Sequence, residues 1–328
     1  MVRLIPPRFR PLLRNLLVTC KIKPSLISAL IALTYHCNGI CHKCSISKYR
    51  KNGKELDTEE VKSLIDQLYS IKTGKIGFFG GESLLRKDIY ELIAYATKKG
   101  IKTEVFTNGY LLSQSVVKKL KGAGLSNISI SLDSSDAKVH DKLRKLPNCF
   151  KRAIKGIEYC IRNGISIEII TVATKENSRN GDLERIISLG KRLKVNNIQL
   201  LPPTMIGRWF NAKKELLEPQ DYDKIISLKK SSLVVSEVET TKKSVHRYCL
   251  SKMRALIYIS PYGDVQPCWS VPVSFGNVRE KPLKDIFKLI KTYKFNTHSY
   301  DCLANDPEFR AEYLKRIKPG TSLPIKMY

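Results

Sequence analysis

Cys37, Cys41 and Cys44 fall within the eight residues CNGICHKC, directly after the apolar run SLISALIALTYH. The spacing Cys-x3-Cys-x2-Cys lets one loop turn three thiolates inward, and such soft ligands select zinc or iron–sulfur clusters over hard cations. Two kinds of site satisfy it. A closed, structural Cys3His zinc site would recruit His36 or His42. A 4Fe-4S cluster held by only three cysteines leaves one iron open, which a reactive cofactor needs. The chain has nine cysteines, an odd number, and no secretory signal is read in it, so a disulfide framework is not expected.

The elements that must position such a loop alternate in type. SALIALT (28–34), KIGFFG (75–80), IKTEVFTNG (101–109), SNISISLD (126–133), ISIEIITVAT (165–174) and NNIQLLPP (196–203) read as strands. Between them lie helical patterns: TEEVKSLIDQLYSI, DIYELIAYATKKG, SQSVVKKLKGAG, FKRAIKGIEYCIRNG and DLERIISLGKRLK. Alternations about thirty residues long imply parallel strands with helical crossovers: an α/β fold, a partial TIM-type (βα)6 barrel. A doubly wound sheet is the competing arrangement, since pattern alone does not close a barrel.

Polar residues follow the strands in register. Cys37–Cys44, Gly80-Gly81-Glu82, Thr107-Asn108-Gly109, Asp133 and the Thr171–Thr174 stretch each come at a strand's C-terminal end, where parallel βα folds collect their active sites. Plainer roles exist: Asn108-Gly109 suits any turn, and Asp133 could cap the helix after it. Glu82, set between GFFGG and SLL, would otherwise be a carboxylate without a partner near the core.

In this order the motifs resemble those of the radical S-adenosylmethionine (SAM) enzymes, over roughly residues 28–303. The resemblance implies that Cys37, Cys41 and Cys44 ligate a 4Fe-4S cluster whose open iron chelates the methionyl group of SAM. A flavodoxin or ferredoxin-type partner would supply an electron, giving methionine and a 5′-deoxyadenosyl radical that takes hydrogen from an unactivated carbon. It further implies that Gly80 and Gly81 admit a close backbone approach and that Glu82 meets the methionyl ammonium. Ser131 and Asp133 would touch the cofactor, Glu168 or Thr171 would meet its ribose or carboxylate, and Thr107 and Asn108 would help line the pocket. Two positions depart from the family. Ser83 stands where GGEP has proline, and Lys43 stands where an aromatic residue normally lies near adenine, leaving a backbone contact there. His140 belongs to an HD pair similar to one that shapes the family's pocket.

A second constellation, Cys249-x13-Gly263-x4-Cys268, resembles the opening of the SPASM or twitch extension, with a hairpin at Gly263. FGNVREKPLKDIFKLI (275–290) fits the strand, turn and helix that follow there. The resemblance implies a small C-terminal α+β extension with an auxiliary 4Fe-4S cluster on Cys249, Cys268, Cys302 and a fourth group, Asp306 or His298. An open auxiliary iron that touches substrate, and a domain without a cluster, are the alternatives. The domain reading is 1–27 as a basic amphipathic segment, 28–245 as the core and 246–328 as the extension and tail.

Charge bears on the partner. The 58 Lys and Arg against 30 Asp and Glu give +28, which favours an anionic partner or a solvated lysine-rich surface. Residues 1–54 contain no acid, and Arg3, Arg8, Arg10, Arg14, Lys21 and Lys23 interleave with apolar residues. That suits peripheral contact with anionic membrane lipid, or a helix capping the domain; the apolar runs are too broken to span a bilayer. The expected location is cytoplasmic, with the inner face of the membrane as an attachment site. A membrane lipid or lipid-linked head group, with archaeal lipid modification as one example, is the first expectation for substrate, and a peptide (RiPP-type) or another small molecule is the second. A zinc or RNA-binding protein is the third, without a recognised nucleic-acid module to support it.

Overall fold

The computed structural model describes residues 26–49, 53–236, 250–251, 254–294, 302–317, 321 and 323–327. Residues 1–25, Cys249 and His298 lie outside these, so the basic segment and two candidate ligands are outside the described residues.

A nine-stranded sheet carries the site. Its first seven strands are β1 (Ser28–Thr34), β2 (Lys75–Gly80), β3 (Lys102–Thr107), β4 (Asn127–Ser131), β5 (Ser166–Val172), β6 (Asn197–Leu201) and β7 (Val234–Ser236). They lie side by side in chain order, every pair parallel. A doubly wound sheet reverses its order at a switch point; here each crossover steps the same way, as in a barrel. On the far side of β1 come β8 (Leu256–Ile259), parallel to it, and β9 (Val265–Gln266), antiparallel to β8. Strands β7 and β9 are the sheet's two edges, so the barrel is partial.

The helices between the strands are α1 (Thr58–Ser70), α2 (Ile89–Lys98), α3 (Gln114–Gly122), α4 (Ala137–Arg144), α5 (Cys149–Arg162), α6 (Lys175–Arg179), α7 (Asp182–Leu193) and α8 (Pro219–Leu228). Helix α1 shows why its sequence folds there. Asp57 and Glu60 form a reciprocal capping box, and Val61, Leu64, Ile65 and Leu68 make one buried stripe. Alternate strand residues, such as Phe78, Val105, Ile128, Ile130, Ile167, Ile169, Ile198 and Leu200, are fully buried. The residues between them form a second face. One row of pairings crosses it: Phe106 with Ser129, Ser129 with Glu168, Glu168 with Asn197. Phe79 packs edge-to-face on Phe106 at 5.4 Å, extending that row towards β1.

The C-terminal part is not set apart from this sheet. The β8–β9 hairpin turns at Gly263, as the sequence predicts, and joins the core through β1. Helix α9 (Leu283–Thr292) follows, then α10 (Pro307–Leu314); β10 (Val273–Ser274) pairs with β11 (Ile325–Lys326). Among the described residues no helix is long and apolar enough to cross a membrane.

Candidate active site

The turn after β2 lies flush against the chain that leads into the cysteine loop. Gly81 N–H donates to the Thr34 carbonyl at 2.8 Å and Glu82 N–H to that of His36 at 2.9 Å. A Cβ on Gly80 would overlap the Thr34 carbonyl oxygen, and one on Gly81 that of His36. Only glycine permits this approach.

Glu82 is fully buried, and it is not without partners. Thr107 Oγ1 donates to its Oε1 at 2.7 Å, Asn108 N–H to its Oε2 at 2.8 Å, and Leu84 N–H to Oε1 at 3.2 Å. Burial raises its pKa despite these donors, so a bound cation would be welcome beside it. Thr107 and Asn108 are thus first of all holders of Glu82. Asn108 also reaches the cysteine loop, donating from Nδ2 to Asn38 Oδ1 at 2.7 Å. Ser83 explains its own departure from proline: buried, it donates to the carbonyls of Phe78 (3.2 Å) and Phe106 (3.1 Å), tying β2 to β3.

The end of β4 meets the loop through charge. Asp133 Oδ1 lies 2.6 Å from Lys43 Nζ, and its Oδ2 lies 2.6 Å from Arg144 Nε. Arg144 Nη1 is in turn 3.7 Å from Cys41 Sγ. Burial alone would raise the Asp133 pKa; the two cations outweigh it and hold the carboxyl well below its usual range. His140 Nδ1 accepts from Asp133 N–H at 3.1 Å, which places His140 in this cluster. The cap of α4 is Asp136, whose carboxylate accepts from Val139 N–H, not Asp133. Thr171 donates its hydroxyl to the Leu132 carbonyl at 2.6 Å. Ser131 is half-buried at the mouth, whereas Glu168, accepting from Ser129 Oγ, sits deeper in the row below. Arg144 was not among the residues the motifs single out; it follows the HD pair, and only the fold brings it to Cys41.

The loop is docked on two further sides. His42 N–H donates to the Leu143 carbonyl at 2.8 Å, and Arg208 N–H donates to that of Cys44 at 3.0 Å. Cys37 is exposed while Cys41 and Cys44 are half-buried. Among the described residues, no three His, Cys, Asp or Glu side chains converge as a single ion would require. A closed zinc site draws all its ligands to about 2.0–2.3 Å of one atom; the ligands of a cube go to different irons. The three thiols, their soft donor chemistry and the glycine cradle beside them fit a 4Fe-4S cluster.

At the C-terminal site, Ser270 brings Cys268 and Cys302 together. Its buried hydroxyl lies 3.3 Å from Cys268 Sγ and 3.6 Å from Cys302 Sγ. Asp306 is fully buried; its Oδ1 caps α10 by accepting from Glu308 and Phe309 N–H, and its Oδ2 has no hydrogen-bond partner. Two thiols around one hydroxyl, with a carboxylate oxygen left over nearby in the chain, fit a cluster whose further ligand, Cys249, is outside the described residues.

The radical SAM superfamily model matches residues 31–190, and the iron–sulfur cluster-binding SPASM domain model matches residues 249–306. The chain is a radical SAM enzyme with a SPASM domain. Residues 31–190 contain the cysteine loop, the Gly-Gly-Glu turn and Asp133, and residues 249–306 begin at Cys249 and end at Asp306. This radical SAM enzyme therefore uses SAM and 4Fe-4S clusters. It is 28% identical over 293 residues to an AdoMet-dependent heme synthase of Methanosarcina barkeri, covering 80% of this chain and 82% of that protein. It is 34% identical over 197 residues to an Fe-coproporphyrin III synthase of the same organism, covering 60% of this chain and 49% of that protein. Among solved structures it is similar in fold to Streptococcus suis SuiB bound to its precursor peptide SuiA, with 18% identity and a TM-score of 0.68, covering 88% of this chain and 72% of the other. It is likewise similar to anSMEcpe with bound AdoMet, at 19% identity and a TM-score of 0.60, covering 80% of each chain.

Proposed function

We propose that this radical SAM enzyme directs hydrogen abstraction at a carboxylate-bearing tetrapyrrole. The observation that carries the reading is the likeness to a heme synthase across four fifths of both chains. When bound, a 4Fe-4S cluster carrying SAM supplies a 5′-deoxyadenosyl radical from one electron given by a flavodoxin or ferredoxin-type partner. In this reading, Glu82, buried and held by Thr107 and Asn108, orients the methionyl ammonium, and the Gly80-Gly81 turn leaves room for it. Ser131 borders the same mouth.

The substrate face supports a flat, apolar body with an anionic rim. Phe79 packs against Phe106 at 5.4 Å, Tyr258 at 6.0 Å and Trp269 at 6.1 Å, and Trp269 follows Cys268 in sequence. This aromatic shelf runs from the sheet's inner row to the auxiliary cysteines and excludes water from a radical. Arg208 and Lys48 are exposed close to the cysteine loop, Arg208 bonded to Cys44 through its backbone, and carboxylates suit them. The overall charge of +28 points the same way. The lipid expectation rests on residues 1–24, outside the described residues, and none of the relatives named above carries a lipid in its name.

The test is an anaerobic assay with dithionite, SAM and Fe-coproporphyrin III deuterated in its side chains. Deuterium appearing in 5′-deoxyadenosine, with a changed porphyrin mass, is the expected result. Unlabelled 5′-deoxyadenosine at the rate seen without porphyrin, together with stimulation by anionic lipid vesicles or by a peptide, would overturn the reading.

A further inference from the structure

The buried ion group beside the cysteine loop has an uneven charge. Lys43 and Arg144 share a single carboxylate, Asp133; their side chains are 12% and 13% exposed and that of Asp133 is 2% exposed. Of the other titratable groups here, His140 accepts from Asp133 N–H at Nδ1 and so is neutral, and Asp141 turns its carboxylate to the N–H groups of Asn148 and Phe150. Glu82 lies across the loop and spends its oxygens on Thr107, Asn108 and Leu84. The group therefore carries one net positive charge, and its edge is 3.7 Å from Cys41 Sγ. Lys43 itself lies in the loop, directly before Cys44.

We propose that Lys43 is a positioning residue for the catalytic cluster: it clamps the Cys41–Cys44 turn to the end of β4, and its charge stabilises the reduced cluster. Two physical effects follow from one contact. The Lys43–Asp133 pair spans two loops far apart in sequence, and removing one partner of a buried pair leaves the other charge uncompensated, so the turn is fixed against β4. Reduction adds negative charge to the cluster, and a group of net charge +1 whose Arg144 edge begins 3.7 Å from Cys41 Sγ, in a poorly screened site, favours it. Groups just beyond the ligands commonly tune a metal centre in this way. The proposal is independent of the substrate.

The experiment is potentiometry of the anaerobically reconstituted full chain, followed by EPR; the catalytic cluster's signal is recognised by its change on adding SAM. Four proteins are compared: wild type, Lys43→Met, Lys43→Arg and the double variant Lys43→Met/Asp133→Asn. Lys43→Met takes the group's net charge from +1 to zero, and its midpoint potential should move to a more negative value. Lys43→Arg should stay at the wild-type value. The double variant leaves Arg144 unopposed, restores the net charge of +1, and should bring the potential back towards wild type. An unchanged potential in Lys43→Met, or a double variant shifted as far as Lys43→Met, would overturn the role of charge. If Lys43→Met fails to take up a cluster, iron content is read in Lys43→Gln and Lys43→Arg. Loss in Gln with retention in Arg supports the clamp, and equal loss in both overturns it.

Discussion

Glu82 concentrates the site's logic in one side chain. Its carboxylate is anchored by two neighbours from the end of β3 and is kept out of water, so burial raises its pKa and a cation bound beside it would favour the ionised form. Glu82→Gln retains the shape but removes the charge and turns an N–H towards a donor. SAM affinity is expected to fall about 10- to 100-fold, as for the loss of a charged hydrogen bond, measured by equilibrium binding to the cluster-loaded protein. His140 gives a pH signature. Burial, helped by Arg144, lowers its pKa from 6.5 to about 4. The unfolded chain thus takes up this proton first as pH falls, and the residue's contribution, about 3 kcal/mol, is complete above pH 6.5 and is lost towards pH 4. In His140→Gln the melting temperature should fall less steeply over that window; an unchanged slope would assign the acid sensitivity elsewhere. Glu82 and the cysteines were legible in the sequence because each sits in a short run after a strand. The Lys43–Asp133–Arg144 group was not, since its members come from three separate segments and only the fold brings them together.

At the scale of elements, strands with uninterrupted apolar runs and helices with one apolar stripe were read within a few residues of their observed ends. Helix α5, which buries Cys149, Ala153, Gly156, Ile157 and Cys160, is such a case. Helix α4 was anticipated after Asp133 but was given no span, because AKVHDKLR has no stripe: only His140 is buried. It forms because Asp136 caps it and because the cysteine loop packs on its end. Strand β7 is three residues long, too short for alternation to show. The Gly-Gly-Glu turn is the element with the least tolerance. Gly81→Ala drives a methyl into the His36 carbonyl and should cost about 1–3 kcal/mol. Iron incorporation in this variant should drop well below the wild-type level; normal incorporation would show that the turn does not support the loop.

Over the whole molecule, β1 links two chemistries: β2 on one side leads to the Gly-Gly-Glu turn, and β8 on the other leads to Cys268. The motif order predicted both halves and the partial barrel. It did not predict that the C-terminal segment enters the main sheet through β8, because pairing with β1 across more than two hundred residues leaves no local pattern. Cys268→Ala should lower the iron content from about eight to about four per chain while leaving the SAM-sensitive EPR signal in place. The most direct measurement is 5′-deoxyadenosine released from SAM under dithionite by the reconstituted protein and by Cys41→Ala. The account predicts steady release by the wild type and none above background from the variant. Equal release from both would contradict it.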